Sequence, residues 1–228
     1  MGHSQRFTAR PVLGTGHEQL NLGLLNRGWP LGSLVEVCQQ DMHGEWQLFT
    51  PSLLQLSGLI VLVNPPAQPF CQAFIQAGLD LDRLIVVCAP EKSQFIACFI
   101  ELSRANVDAV LAWQPHEAMT YTELRKCSLA ASEGSGLSVI FRPSTAQKQS
   151  SPAALRLFSQ QVPTGLAITV FKQKGHLQAQ QPRPIQLALP DKWQPALAHH
   201  ALNQHSAADT SSNKPQRLTS VTPFRGKS

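Results

Sequence analysis

The residue types that could do chemistry are densest between positions 33 and 46, where an apolar run leads through a polar loop into a helix-periodic run. Nucleotide-binding α/β proteins place the phosphate loop GxxxxGK[ST] at such a junction, because backbone N–H groups at the helix start hold phosphates. Gly44 stands in place of the second glycine, but Glu45 replaces the lysine and Trp46 replaces the hydroxyl residue. A carboxylate repels a triphosphate that lies within about a few ångströms of it. The segment therefore has the position of a phosphate loop but lacks its phosphate-binding and magnesium-binding side chains. This degenerate phosphate loop consists of Gln39, Gln40, Asp41, Met42, His43, Gly44, Glu45 and Trp46.

The polar residues of this degenerate phosphate loop have a structural interpretation. The carboxylate of Glu45 lies in the first turn of a predicted helix, where the helix dipole stabilises it by about 0.3–1 kcal/mol. Asp41 would act in the same way as a cap. Contact with a partner is the second interpretation of both residues. We expect His43 to be exposed and inert rather than a catalytic base.

The elements that would position this loop alternate between strand and helix. Strands are predicted by near-continuous apolar runs at residues 33–38, 59–63, 84–88, 109–112 and 137–141. Helices are predicted at residues 17–26, 45–56, 70–77, 91–105 and 120–133. Pro51 lies inside the second helix, so we expect that helix to start late or to kink. The pattern predicts an α/β fold with a mainly parallel central sheet.

The pattern changes after residue 146. Residues 152–159 are predicted to form one or two helical turns, and residues 165–171 and 184–189 to form antiparallel strands joined by a polar loop at 172–183. From residue 191 onward the apolar signal fades, and five basic residues stand against two acidic ones. We therefore divide the chain into an N-terminal extension (1–14), one α/β domain (15–195) and a disordered basic tail (196–228).

The composition fits one domain of ordinary size. Of the 228 residues, 43% are hydrophobic and only 14% are charged, and the formal net charge of +5 is a weak signal for nucleic acid. The five cysteines form no CxxC pair, which favours a reducing compartment. We interpret Cys38 and Cys88 as core thiols. Since the sequence has no apolar leader or membrane-length run, we expect a soluble, cytoplasmic protein.

Residues 20–113 resemble the core of RecA-type ATPases. The resemblance rests on Leu20, Leu24, Gly28, Pro30-Leu31-Gly32, Leu34-Val35-Glu36-Val37, Gly44, Gly78-Leu79-Asp80-Leu81-Asp82-Arg83-Leu84 and Val107-Asp108-Ala109-Val110-Leu111. It extends through residues 137–189, so it covers most of the chain. It implies a RecA-like fold, with a degenerate P-loop NTPase core followed by C-terminal antiparallel strands.

The departures from the RecA pattern concern the catalytic positions. The phosphate loop lacks its lysine and its hydroxyl residue. RecA proteins place a catalytic glutamate at the end of the second strand, where this chain has Asn64-Pro65-Pro66. They place the Walker B aspartate, which helps to hold magnesium, at the end of the fourth strand, where this chain has Trp113-Gln114. The resemblance therefore implies a protein that is not an enzyme and holds neither a cofactor nor a metal.

Within this fold the chain resembles the ImuA family and the related SulA cell-division inhibitors. The shared features are the degenerate loop and three segments, Ala109-Val110-Leu111-Ala112-Trp113, Ala130-Ala131-Ser132-Glu133-Gly134 and Val139-Ile140-Phe141-Arg142-Pro143. The SulA pattern stops shortly after the Arg-Pro pair. Here Ser151-Pro152-Ala153-Ala154-Leu155-Arg156-Leu157 and two more predicted strands follow, as in ImuA. This favours ImuA.

The ImuA resemblance implies an accessory role in error-prone translesion DNA synthesis during the bacterial SOS response to DNA damage. The implied partners are ImuB, a polymerase-like protein without catalytic activity, and an error-prone replicative-type polymerase. The SulA alternative implies binding to FtsZ and a block of its polymerisation. Neither role needs nucleotide, whereas an active nucleotide hydrolase would need a lysine supplied from elsewhere. Weak contact with DNA and self-association stay open.

Six residues are candidates for contact with a partner: Trp113, Gln114, His116, Arg142, Lys172 and Lys174. Trp113 ends a strand, where open α/β sheets place their sites, and would either anchor a partner or cover the emptied nucleotide crevice. Arg142 would pair with a carboxylate, reach a phosphate or meet an acidic partner. The two lysines lie on a basic loop that lacks the interleaved aromatic residues of a DNA-binding platform.

Overall fold

The fold is built around a central β-sheet with helices beside it. The computed structural model describes residues 11–40, 45–67, 71–105, 107–175 and 182–188, all within the unit Met1–Leu189. The strands are β1 (Val12–Leu13), β2 (Trp29–Pro30), β3 (Ser33–Gln39), β4 (Ile60–Val63), β5 (Leu84–Val87), β6 (Ala109–Trp113), β7 (Leu137–Pro143), β8 (Leu155–Val162), β9 (Gly165–Gln173) and β10 (Ile185–Ala188). The helices are α1 (Glu18–Gly23), α2 (Glu45–Leu53), α3 (Cys71–Ala77), α4 (Lys92–Arg104) and α5 (Tyr121–Glu133).

Within the described ranges, the main sheet has eight strands in the order β10-β9-β8-β3-β7-β6-β4-β5. The strands from β8 to β5 in this order run parallel to their neighbours, whereas β9 pairs antiparallel with both β8 and β10. The short strands β1 and β2 form a separate antiparallel pair. The predicted α/β class, a mainly parallel sheet with C-terminal antiparallel strands, is confirmed.

The inner parallel strands β3, β4, β6 and β7 are covered on both faces, as their near-continuous apolar sequences predict. All residues of β3 and β6 are buried. Alternate residues of β3 face opposite sides, so Val35 joins one apolar cluster with Phe49 of α2, and Leu34 joins another with Phe99 of α4. Both layers hold the carboxyl ends of the central strands in place.

The helix ends follow local sequence signals. At the start of α5, the Thr120 hydroxyl accepts a hydrogen bond from the N–H of Glu123 (3.3 Å), and the Glu123 carboxylate accepts one from the N–H of Thr120 (2.7 Å). This is a capping box. Helix α3 ends at Ala77 and is followed by Gly78, which has φ +90°, a conformation that glycine adopts without strain.

Two local predictions are wrong. Residues 152–159 form no helical turns, because β8 begins at Leu155 and pairs with β3. Strand β8 shows no clear apolar alternation in the sequence, because two of its buried residues, Arg156 and Ser159, are polar. Cys88 is exposed rather than a core thiol, because β5 is the edge strand; Cys38 is buried as predicted. Of the late start or kink expected for α2 because of Pro51, the late start is not seen, since the helix starts at Glu45.

A histidine compensates for the proline inside α2. Pro51 has no N–H to donate to the carbonyl of Gln47, one turn earlier. The Nε2 atom of His17 lies 3.1 Å from that carbonyl oxygen and supplies the missing donor when it carries the proton. Gly16 makes this approach feasible, because a Cβ atom at this residue would collide with Pro51 and because its φ is +77°. Burial lowers the pKa of His17, which favours the neutral ring.

Several predictions concern residues outside the described ranges. These are the conformation of residues 1–10, the loop positions Asp41, Met42, His43 and Gly44, and the tail at 196–228. Among the helices that are described, none combines the length and the apolar character needed to cross a membrane.

Candidate functional site

The carboxylate of Glu45 lies where β3 meets α2, at the position of the phosphate-loop lysine. Glu45 is 5% exposed. Its Oε1 atom accepts a hydrogen bond from Nε2 of Gln39 at the end of β3 (2.8 Å) and another from Nε1 of Trp113 at the end of β6 (3.2 Å). The dipole of α2 favours a negative charge at this end. Gln39 and Trp113 therefore both donate to one oxygen of this carboxylate, which supports the structural interpretation of Glu45.

A series of six aromatic rings runs beside Glu45. The rings follow in the order Trp29, Phe49, Phe141, Trp113, Trp46 and Phe74, with centroid separations of 4.8, 5.6, 4.5, 5.9 and 4.7 Å. These separations are typical of favourable aromatic pairs. Within this series Trp113 ends β6 and Trp46 lies in the first turn of α2. Trp113 is 2% exposed.

On the opposite face of β3 lies a buried group of charged residues, which we call the arginine–glutamate cluster: Glu36, Arg142, Arg156 and Ser151. Glu36 is fully buried, and the two arginines are 2% and 5% exposed. The Oε1 atom of Glu36 accepts hydrogen bonds from NH1 of Arg142 (2.7 Å) and NH2 of Arg156 (2.8 Å). The Ser151 hydroxyl donates to Oε2. One carboxylate thus pairs with two guanidinium groups, which leaves the cluster with a net positive charge.

Other donors of the two arginines join the connection between β7 and β8 to the sheet, whereas the buried Nε of Arg156 has no hydrogen-bond partner among the described residues. Arg142 donates through Nε to Gln114 and through NH2 to the side chain of Gln149, both at 2.8 Å. Arg156 donates to the carbonyls of Ala146 (2.8 Å) and Gln149 (3.0 Å). Buried donors need partners. These bonds therefore hold residues 144–151 against the sheet.

The charge balance of the cluster affects its neighbours. Lys172 donates to the carbonyl of Ser151 at 2.6 Å. Burial lowers the pKa of Lys172, and the positive charge of Arg156 lowers it further. Burial, together with the negative charge of Glu36, raises the pKa of the Cys38 thiol to about 12. Cys38 therefore stays protonated and is not an activated nucleophile.

The six predicted partner-binding residues are not equally accessible. Trp113 and Arg142 are buried and offer a partner almost no surface, which corrects the expectation that they contact one. The alternative interpretations, a cover for the crevice and an ion pair with a carboxylate, fit their contacts. Gln114 and Lys172 are half-buried and bonded within the chain. His116 and Lys174 are exposed.

Sequence reasoning missed the central role of Glu36 and Arg156. A signal existed, because each is a charged residue within a strand whose other residues are largely apolar. Such residues are buried only when they are paired. The sequence could suggest that Glu36 needs a cation, but it could not tell that two arginines share it.

Asn64 stands where the RecA pattern has its catalytic glutamate. It has φ +54°, a left-handed conformation that asparagine tolerates better than most residues. Its side-chain amide donates to the carbonyl of Ala89 and accepts from the N–H of Ala89, both at 2.7 Å. Both ends of the amide are therefore used to join the carboxyl ends of β4 and β5.

A scan against protein-family models finds no match for this chain, and a search of curated proteins finds no similar sequence. The resemblance to ImuA and SulA therefore stays a prediction.

Proposed function

We propose that this chain is a RecA-like protein without ATPase activity that supports error-prone translesion synthesis in the bacterial cytoplasm through contacts with other proteins. The observation that carries the non-catalytic part is the pair of hydrogen bonds from Gln39 and Trp113 to Glu45. A phosphate about 4 Å from this carboxylate would meet a repulsion of about 4 kcal/mol per pair of unit charges at an effective dielectric constant of 20. That repulsion weakens binding about a thousandfold.

The partners in this proposal are an ImuB-like polymerase homologue and an error-prone polymerase. The C-terminal strands support this choice over the SulA alternative. After the Arg142–Pro143 pair, the chain adds β8, β9 and β10 to the same sheet, whereas the SulA pattern stops shortly after that pair. The second candidate, a cell-division inhibitor that binds FtsZ, keeps the degenerate phosphate loop as its support.

Nucleotide binding tests the non-catalytic part. The full chain is titrated with a fluorescent ATP analogue and magnesium, with an active RecA-type ATPase as a control in the same buffer. We expect no binding up to about 1 mM, because Glu45 repels the phosphates. Binding at micromolar strength would overturn the proposal and bring back the nucleotide hydrolase.

Binding to purified partner proteins tests the proposed role in translesion synthesis against the FtsZ alternative. The purified full chain is mixed separately with the ImuB-like protein and with FtsZ of the same organism. Co-elution with the ImuB-like protein on a sizing column, together with FtsZ polymerisation that is unchanged by light scattering, is the expected result. A block of FtsZ polymerisation without binding to the ImuB-like protein would favour the second candidate and overturn the first.

A further inference from the structure

The chain divides into an acidic part and a basic part. Residues 1–133, which include β3 to β6 and α1 to α5, contain eight basic and twelve acidic residues. Residues 134–190, which include β7 to β10, contain six basic residues and no acidic one. Strands β10, β9 and β8 are neighbours at one side of the main sheet. A region that carries charges of only one sign attracts a partner of the opposite sign.

Two lysines near the end of β9 lie on the same face of the sheet as the arginine–glutamate cluster. The side chain of Gln173 bonds to backbone groups at the carboxyl end of α1, at 2.8 and 3.1 Å, so it faces that helix. Because successive residues of a strand point to opposite faces, Lys172 and Lys174 face away from α1. Lys172 is also the cross-strand neighbour of Arg156. Both lysines therefore lie beside the cluster.

A third lysine lies on the segment that covers the cluster. Lys148 ends a 3₁₀ helix, Ser144–Lys148, in the connection between β7 and β8. Arg156 donates hydrogen bonds to the carbonyls of Ala146 (2.8 Å) and Gln149 (3.0 Å), on either side of this lysine in the sequence. Since Arg156 is also the neighbour of a lysine of β9, all three lysines belong to one region of the surface.

We call Lys148, Lys172 and Lys174 the lysine face. Lys148 and Lys174 are exposed, and Lys172 is half-buried, with its Nζ atom 2.6 Å from the carbonyl oxygen of Ser151. Among the residues that the structure describes, none of the three forms an ion pair, whereas Lys92 of α4 is shared by two glutamates. The positive charge of the lysine face is therefore not neutralised within the described chain.

The buried cluster adds to the positive potential of this surface. It holds two arginines against one glutamate. Buried charges are screened by salt much less than exposed ones. Burial and then the positive charge of Arg156 lower the pKa of Lys172, so the charge of the cluster reaches the lysine face. An anionic ligand on this face would meet both sets of charges.

Carboxylates suit the lysine face better than the phosphates of nucleic acid. Arginine is the residue that binds phosphate through two parallel hydrogen bonds, but Arg142 and Arg156 are buried and donate to partners within the chain. Single-stranded nucleic acid also needs aromatic rings on which its bases stack. The ring of Phe171 is already covered by the guanidinium group of Arg156, at 4.8 Å. The face thus offers single positive charges, which isolated carboxylates can pair with.

We propose that the lysine face binds an acidic, extended segment of a partner protein, whose carboxylates pair with Lys148, Lys172 and Lys174. Exposed ion pairs contribute little individually and are weakened by salt, so the contact is of moderate affinity and depends on ionic strength. The inference rests on the proposed function in so far as it names a surface that holds a protein partner. Its test uses neither nucleotide nor polymerase, so its failure would leave the proposed function standing.

The probe is a synthetic, end-capped peptide of alternating glutamates and aspartates with a central phenylalanine, labelled with a fluorophore. Anisotropy with the full chain at about 20 mM salt should give a dissociation constant of about 100 µM or tighter. At about 500 mM salt, binding should weaken at least about tenfold. A peptide of the same length with lysines in place of its acidic residues should not bind.

Two double variants with the same change of total charge test the location of the peptide. Lys148→Glu combined with Lys174→Glu reverses both exposed charges of the lysine face and should weaken binding at least about tenfold. The matched control is Arg125→Glu combined with Lys126→Glu on α5, where both residues are exposed. It should bind the peptide as the native chain does. Circular dichroism of both variants checks that they are folded.

The proposal is overturned by any of three results: no binding at about 1 mM peptide, equal binding to the Lys148→Glu/Lys174→Glu variant, or an equal loss in the control variant. A single-stranded oligothymidylate that binds more tightly than the peptide, and that the lysine-face variant no longer binds, would assign the face to nucleic acid and overturn it. A dimer of the native chain that the same variant abolishes would assign the face to the acidic part of a second copy and also overturn it.

Discussion

Glu36→Gln should destabilise the protein strongly, because the substitution keeps the size of the side chain and removes the charge that balances two buried arginines. Glu36 accepts hydrogen bonds of 2.7 and 2.8 Å from Arg142 and Arg156. A hydrogen bond to a charged group contributes about 1.5–3 kcal/mol, and removal of one partner from a buried ion pair costs about 3–5 kcal/mol. We expect the free energy of unfolding to fall by about 3–5 kcal/mol.

Urea unfolding, followed by circular dichroism, measures this loss. For a domain of this size, each kcal/mol corresponds to a shift in Tm of about 2–4 °C, so thermal unfolding should agree with a decrease of roughly 6–20 °C. The matched control is Glu133→Gln. Glu133 pairs with Arg104 at 2.6 Å, but the two side chains are 54% and 46% exposed. An exposed pair contributes about 1 kcal/mol or less.

A loss below about 1 kcal/mol in Glu36→Gln, equal to that of the control, would refute the reasoning about the arginine–glutamate cluster. A second variant tests its cause. Glu36→Leu combined with Arg142→Met and Arg156→Met removes all three charges together, and apolar replacement of a buried charged group is often neutral or stabilising. The triple variant should therefore be more stable than Glu36→Gln. If it were equally unstable, the lost charge would not be the cause.

Three further predictions follow from other contacts. Glu45→Lys should not create nucleotide binding, because the contact between Trp46 and Trp113, whose ring centroids are 5.9 Å apart, remains beside position 45; binding of a fluorescent ATP analogue at micromolar strength would contradict this. Since the pKa of His17 is lowered in the folded chain, the unfolded chain takes up a proton first as the pH falls below about 6.5. The free energy of unfolding should therefore decrease below that pH. His17→Gln keeps a hydrogen-bond donor but does not titrate, so this decrease should be smaller in the variant. Unfolding curves recorded between pH 5 and 7 measure the difference. At pH 8 a thiol reagent should modify the exposed Cys88 and spare Cys38, whose pKa burial raises to about 12; quantitative modification of Cys38 in the folded chain would show that the cluster opens.

Local signals explain why the sequence predicts the elements well. The β6 run is apolar throughout, and the β3 run is apolar apart from Ser33, Glu36 and Gln39, because both faces of each strand are buried. The capping box of α5 needs only Thr120 and Glu123, three positions apart. The place of Glu45 at a helix start is equally readable, because the loop and the helix-periodic run are adjacent in sequence.

Strand order is not local, and the functional interpretations that depend on it could not be predicted. The sequences of β4 and β5 are equally apolar, yet β4 is buried and β5 is the open edge. Trp113 reads as a residue at an exposed strand end, but the arrival of α2 beside β6 buries it and gives it Glu45 as an acceptor.

By itself, the sequence determined the alternating elements and the mainly parallel sheet, because these depend on neighbouring residues. The tertiary structure alone decided that Glu36 meets Arg142 and Arg156, which lie 106 and 120 residues away. It also decided which strand lies at the edge of the sheet that the described residues form. The physical reason is that burial and ion pairing depend on which distant segments pack together, and periodicity along the chain carries no record of that choice.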